Sequence, residues 1–204
     1  MLLVKSYAKL AKHFMTKFSK EQLTIARILK VNHAGEYGAI RIYTGQLKLA
    51  KILYKDLALF LEETLQHEIK HCNSFESYMP CRKTRPCGMI KFWGIGGYLL
   101  GTITALMGRN SIMVCTAAVE SAVHIHLNEQ IDYLRGKDNE LQNLIKKIRV
   151  EELQHLKYAE DRLSMQGWIP KMLYQIIVFF TNTIIWLSTW GDVTRMKNDI
   201  IEAK

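Results

Sequence analysis

A chain of 204 residues with 49% hydrophobic content, 12 glycines and three prolines can bury a sizeable core and is too poor in turn formers for a many-stranded β protein. Its net charge of +9 is carried mostly by scattered lysines, with no zinc-finger spacing and no basic-zipper or RNA-binding signature, which excludes nucleic acid as a partner. The four cysteines, Cys72, Cys81, Cys87 and Cys115, form no C-x-x-C and no disulfide framework, a usage that fits a reduced interior compartment.

Residues 1–20 hold Lys5, Lys9, Lys12, Lys17 and Lys20 and no acid, while Leu3, Tyr7, Leu10, Phe14 and Phe18 recur at helical spacing. The pattern predicts a basic amphipathic segment set apart from the domain at 21–204, either lying on a membrane surface or packed on the body. The lack of arginine and the scarcity of serine weigh against a transit peptide, and no cleavable secretory signal is evident. Residues 21–53 read as a first helix, with Ser19 and Gln22 placed for a capping box. Within it Gly35 and Gly38 flank Glu36, a costly choice in a helix interior that predicts close helix approach or a backbone beside a metal. Ile40, Tyr43, Leu47 and Ala50 continue the face that begins at Glu36.

Residues 55–79 read as a second helix whose stripe is Leu57, Leu61, Thr64, Glu68, His71, Phe75 and Met79. A carboxylate on an apolar face has to be paired, protonated or bound to metal. Glu62, Glu63 and Glu76 fall off the stripe and read as solvated. Residues 80–87 form a basic turn with two prolines, and residues 92–108 carry no charge. The glycines there are not a dinucleotide loop, because no strand precedes them and no acid follows about 20 residues on. Gly97 and Gly101 instead make a small-xxx-small step suited to close helix packing.

Residues 110–135 and 139–166 read as two further helices, the first with Ala117, Glu120, Leu127, Ile131 and Leu134 on one face. The second carries Leu141, Ile148, Glu152, His155 and Ala159 on one face, continued at Arg162 or Leu163. Gly167-Trp168-Ile169-Pro170 ends it. Residues 172–191 are free of charge and long enough to span a bilayer, but Gln175, Thr181, Asn182 and Thr183 dilute them. The expectation is a last helix that is buried or half embedded in a membrane.

Two runs organise these elements: Glu68-Ile69-Lys70-His71 and Glu152-Leu153-Gln154-His155. Residues three apart share a helix face, so each run aims a carboxylate and an imidazole at one point. Glu36 lies 32 residues before Glu68, and Glu120 lies 32 before Glu152. A single shift of 84 therefore maps Glu36, Glu68 and His71 onto Glu120, Glu152 and His155, and Gln46 onto Gln130. One glutamate from each of two helices plus a Glu-x-x-His from each of two others is the ligand pattern of ferritin-like di-metal carboxylate bundles. The expected fold is therefore all-α: a ferritin-like four-helix bundle with a duplicated helix pair and additional apolar helices. Hard and borderline ligands of this kind suit iron or manganese, and two carboxylates can bridge two ions while each ion keeps a histidine and a terminal glutamate.

The runs Asn32-His33-Ala34-Gly35-Glu36-Tyr37-Gly38-Ala39-Ile40-Arg41-Ile42-Tyr43, Trp93-Gly94-Ile95-Gly96, Ala118-Val119-Glu120 and Glu151-Glu152-Leu153-Gln154-His155 resemble the demethoxyubiquinone hydroxylases of ubiquinone biosynthesis. The likeness covers about residues 21 to 200. It implies an O2-dependent di-iron monooxygenase at a membrane interface that hydroxylates the ring of a polyprenyl quinol. By that likeness Glu36 and His71 belong to one of two irons, Glu120 and His155 to the other, and Glu68 and Glu152 bridge. Two positions depart from the family pattern: Ser121 stands where a second glutamate is common, and Leu127 where a tyrosine is common.

No nicotinamide or flavin motif is visible, so electrons come from a partner protein of the same pathway, from docked NADH as external reductant, or from the quinol. A homo-oligomer is compatible with the sequence. The expected location is peripheral, on the cytoplasmic face of a bacterial cell membrane or the matrix face of the mitochondrial inner membrane. The competing activity is that of a membrane di-iron quinol oxidase.

Overall fold

The computed structural model describes residues 18–203, so nearly all of the basic amphipathic segment predicted for residues 1–20 lies outside the described residues. Seven α-helices follow among the described residues: α1 (Lys20–Leu53), α2 (Lys55–Tyr78), α3 (Ile90–Leu106), α4 (Arg109–Leu134), α5 (Asn139–Glu160), α6 (Trp168–Ser188) and α7 (Asp192–Glu202). A 3-10 turn, Pro80–Arg82, follows α2. The protein is all-α, as its glycine and proline counts and its 3.6-residue periodicity require.

Ser19 caps α1 as its spacing predicts: its hydroxyl accepts from the Gln22 N–H, and Gln22 Oε1 accepts from the Ser19 N–H, both at 3.1 Å. One non-helical residue, Tyr54, reverses the chain into α2, so α1 and α2 pack as an antiparallel pair. Arg135 to Asp138, with Gly136 at φ +74°, does the same between α4 and α5. The stripe read for α2 is buried at every position from Leu57 to Met79. That of α5 is buried at Leu141, Ile145, Ile148, Glu152, His155 and Ala159.

The repeat extends further than the helix pair. Moved by 84, α3 would cover residues 174–190, and α6 occupies Trp168–Ser188. In the first half α3 packs on α1, and in the second α6 packs on α4. The helices α1 to α6 are thus two copies of a three-helix unit, and each third helix packs on the first helix of its own unit. The α1–α3 crossing is close enough to exclude side chains. A Cβ on Gly97 would come within 2.9 Å of the Gly38 carbonyl oxygen, and one on Gly45 within 2.6 Å of the Tyr98 oxygen. Trp93 locks the crossing by donating its indole N–H to the Ala34 carbonyl at 2.7 Å, its ring filling the space left by Gly38. Gly35 has open space where a side chain would stand, so of the two glycines beside Glu36 only Gly38 marks a close approach.

Two expectations are corrected. The helix read to residue 166 stops at Glu160, because Asn110 takes the backbone of Ser164 out of the helical register: its amide donates to the Ser164 carbonyl (2.9 Å) and accepts from the Ser164 N–H (2.6 Å). Of the two readings of the charge-free stretch 172–191, buried or half embedded, the first falls: of the 21 residues of α6 only Ile177, Thr181 and Ser188 are buried. It touches α4 along one edge and leaves Phe179, Phe180, Trp186 and Leu187 exposed. The sequence reading also omits α7, an amphipathic helix held by Lys30 to Asp192 (2.7 Å) and Arg27 to Asp199 (2.7 Å).

Asp138 starts α5. Its carboxylate accepts from the Leu141 N–H at 3.0 Å and from Arg82 Nε and Nη2 at 2.6 and 2.8 Å. Burial pushes this carboxyl up, but Arg82 and the Leu141 N–H outweigh it and hold it below the usual aspartate range. Losing a cap costs ~1 kcal/mol and losing a charge-assisted hydrogen bond ~1.5–3 kcal/mol. Asp138→Ala is therefore expected to lower stability by about 2–4 kcal/mol in urea unfolding at neutral pH. Because the folded value is depressed, this contribution is full above the ordinary aspartate range and fades as pH falls through the folded value. The difference between variant and parent should accordingly shrink in acid.

Candidate metal centre

Two of the three apolar clusters among the described residues lie at opposite ends of the bundle, and the third, with Ile42, Val119 and Ile177, lies under α6. Of the two end clusters, one gathers Ile28, Phe75, Leu127 and Ile145, and the other Tyr43, Leu61, Met113 and Ala159. On every bundle helix the polar residues of the repeat fall between its contributions to the two: Glu36 on α1, Glu68 and His71 on α2, Glu120 on α4, Glu152 and His155 on α5. All six are buried, the most exposed being Glu36 at 5%.

They converge. Ligand atoms of Glu36, Glu68, His71 and Glu152 lie within 4.8 Å of one another, and so do those of Glu68, Glu120, Glu152 and His155. Glu68 and Glu152 belong to both groups. His71 Nδ1 stands 2.8 Å from Glu152 Oε1 and 3.8 Å from Glu36 Oε2, and His155 Nδ1 stands 3.2 Å from Glu152 Oε2 and 3.5 Å from Glu68 Oε1. His71 Nδ1 and Glu152 Oε1 nevertheless lack hydrogen-bond alignment, and together with Glu68 Oε1 they are buried atoms with no hydrogen-bond partner. Buried polar groups are normally satisfied, so these orphans fit divalent cations at the centre of the cluster.

The electrostatics point the same way. Burial, then the neighbouring Glu152, pushes both Glu68 and Glu120 well above the usual carboxylate range, and Glu36 and the other cluster carboxylates add to it. Burial acts upward on Glu152 as well, but His155 and His71 hold it low. Burial opposes a proton on His71, yet Glu152 and Glu36 outweigh it and raise it to about 10. Without cations the cluster approaches neutrality by holding protons. Two divalent ions would replace them, since four carboxylates balance two double charges.

Several contacts go beyond the six. Tyr43, on the face that continues from Glu36, donates its hydroxyl to Glu120. Burial and then Glu120 push that phenol well above its ordinary value, so it remains a donor. His67 and Glu151 touch the outer nitrogens of His155 and His71. Their signal was present in the sequence, since the shift of 84 also maps position 67 onto 151. Gln46 and Gln130 share the shift but stand apart from the cluster: Gln46 donates to Thr104 at 3.1 Å, and Gln130 exchanges two hydrogen bonds with Asn32 at 2.7 and 3.1 Å.

On the outside of the bundle, α3 and α6 frame a groove of about 330 Å³ lined by Trp93, Leu100, Ile103, Thr104, Ile177 and Phe180. Around it stand exposed apolar side chains, among them Phe92 (72% exposed), Ile95, Leu99, Ile176 and Phe179. The four cysteines are free; Cys81 is exposed and the others are buried.

A four-helix bundle with a glutamate on two helices, a Glu-x-x-His on the other two, and all six converging between two apolar cores is a ferritin-like carboxylate bundle. Residues 23–188 match the family described as Ubiquinone biosynthesis protein COQ7. The chain belongs to that family. It is 33% identical over 186 residues to the NADPH-dependent 3-demethoxyubiquinone 3-hydroxylase, mitochondrial, of Dictyostelium discoideum, covering 88% of this chain and 85% of that one. The protein of the same name from Homo sapiens is 38% identical over 178 residues (85% and 81%). The 3-demethoxyubiquinol 3-hydroxylase of Rhodospirillum rubrum is 36% identical over 164 residues (80% and 77%).

Proposed function

We propose that this chain is an oxidoreductase of ubiquinone biosynthesis that hydroxylates the ring of a demethoxyubiquinol-type precursor, with Glu36, Glu68, His71, Glu120, Glu152 and His155 holding two iron ions. The observation that carries the reading is the convergence of the six side chains in a chain whose relatives bear hydroxylase names. Two irons held there supply dioxygen activation. Glu68 and Glu152, shared by both groups, would serve both ions, while Glu36 with His71 and Glu120 with His155 would each serve one. Tyr43 orients Glu120 by its hydrogen bond. The two flanking apolar cores keep water from the cluster.

The overall reaction takes one oxygen atom into the ring and the other into water, so it needs two electrons from outside. A nicotinamide reductant is the source proposed here. The names of the Dictyostelium discoideum and Homo sapiens relatives specify NADPH, where the sequence alone suggested NADH. The substrate's polyprenyl tail is insoluble in water, and the α3–α6 face suits it: the groove takes the tail while the surrounding aromatic and aliphatic side chains enter the bilayer edge. The helix α6 is long and apolar enough to cross a membrane, yet it lies along α4, the helix carrying Glu120, and a half-embedded position accommodates both facts. The membrane is the mitochondrial inner membrane if the chain is mitochondrial, as its eukaryotic relatives are named, and otherwise a bacterial cell membrane.

Placing charges on the apolar face tests the docking. Phe92→Asp combined with Phe179→Asp is expected to abolish co-sedimentation with phosphatidylcholine vesicles while leaving the metal content and the far-UV circular dichroism of the protein unchanged. Vesicle binding as strong as the parent's would refute this face. The rival activity, quinol oxidation, predicts oxygen uptake with plain ubiquinol and no hydroxylated product.

A further inference from the structure

The shift of 84 carries His67 onto Glu151, so the repeat places an imidazole and a carboxylate at equivalent positions. Each precedes the glutamate of its own Glu-x-x-His and reaches across to the histidine of the other unit. Glu151 Oε2 lies 2.9 Å from His71 Nε2, and His67 Nδ1 lies 3.0 Å from His155 Nε2. The rings of His67 and His155 have centroids 5.2 Å apart and planes within 17°, which sets them end to end as in an N–H···N hydrogen bond. In both pairs the inner nitrogen, Nδ1, faces the carboxylate cluster.

The position is symmetric and the chemistry is not. A carboxylate accepting from the outer N–H fixes the tautomer and makes the inner nitrogen more basic, and such outer partners are worth ~10–100-fold in metal affinity. An imidazole in the same place fixes the tautomer but brings no negative charge. Glu151 also adds charge near one end of the cluster, only partly offset by Lys70 at 3.4 Å.

We propose that Glu151 and His67 are positioning residues that make the two metal positions unequal, the one at Glu36 and His71 binding a divalent ion more tightly and filling first. This rests on the dinuclear reading above. The experiment is a titration of the metal-free full chain with Co2+, followed by visible absorption and calorimetry. The parent is expected to show two steps at least about tenfold apart. Glu151→Gln, nearly isosteric, should weaken the tighter step by about 10–100-fold, and His67→Glu should strengthen the weaker step so that the two merge. Glu36→Gln should remove the tighter step and leave the weaker one. Two equal steps in the parent, or a Glu151→Gln or His67→Glu variant that moves both steps alike or neither, would overturn the inequality and leave the dinuclear reading standing. Fewer than two ions bound by the parent would instead sink the dinuclear reading.

Discussion

Glu68→Gln is expected to abolish metal loading and hydroxylation while leaving the metal-free protein at least as stable as the parent. Glu68 belongs to both groups of converging side chains, so its loss strikes both metal positions at once. Glutamine keeps the volume and removes the charge. In the metal-free protein that charge is a liability, because burial and then Glu152, Glu36 and Glu120 raise the Glu68 carboxyl well above its ordinary value. The sign follows from proton linkage. A carboxyl raised on folding makes the native state bind more protons than the unfolded one, so stability falls as pH rises above the ordinary glutamate range. Glu68→Gln removes Glu68's share of this slope, while Glu120, raised likewise, keeps its own. Elemental analysis should find no bound metal, and thermal melts of the metal-free variant should show a Tm at neutral pH equal to or above the parent's. His71→Ala should lose metal and activity as well. A variant at either position that retained two ions and full activity would refute the assignment.

The second large effect is structural. Gly101→Ala is expected to cost about 3 kcal/mol or more, at or beyond the usual range for overpacking, out of a total stability of ~5–15 kcal/mol for an ordinary domain. Its Cβ would fall on the carbonyl oxygen of Ile42, 2.8 Å from the carbonyl carbon and 3.0 Å from Cα. Every one of these atoms is backbone, so no side chain can turn aside, and α3 must lift from α1. Because α3 forms one wall of the groove, surviving protein should also bind substrate poorly. Gly96→Ala, five residues earlier on the same helix, is the control: its Cβ meets only Ile184 Cδ1 at 3.8 Å. Exchanging a helical glycine for alanine there should stabilise by ~0.5–1 kcal/mol. Urea unfolding of the two variants side by side measures the contrast.

The candidate site was legible because the chain states it twice. A single Glu-x-x-His is weak, but Glu36, Glu68 and His71 recur as Glu120, Glu152 and His155 at one spacing, on faces otherwise filled by residues such as Leu61, Phe75, Ile145 and Ile148. The Gly97–Gly101 step foretold a close helix contact, since small residues one turn apart let backbones meet, but not that the partner would be α1. The departures have physical causes as well. The end of α5 is decided by Asn110, which competes for the Ser164 backbone from 54 residues away, and no local pattern carries that. Burial of α6 could not be read from its apolar composition, because a helix facing a core and one facing a bilayer have the same residues. The pairing of His67 with His155 and of Glu151 with His71 depends on how the two units cross, although their place in the repeat was already in the numbering.

The measurement that tests the central claim most directly is the mass of the product formed when the iron-loaded chain is incubated in vesicles with a demethoxyquinone, NADPH and isotopically labelled dioxygen. The expected product is a quinone heavier by one labelled oxygen atom, formed by the parent and absent with Glu68→Gln. Oxygen consumption with no labelled quinone, or labelled product formed undiminished by Glu68→Gln, would contradict it.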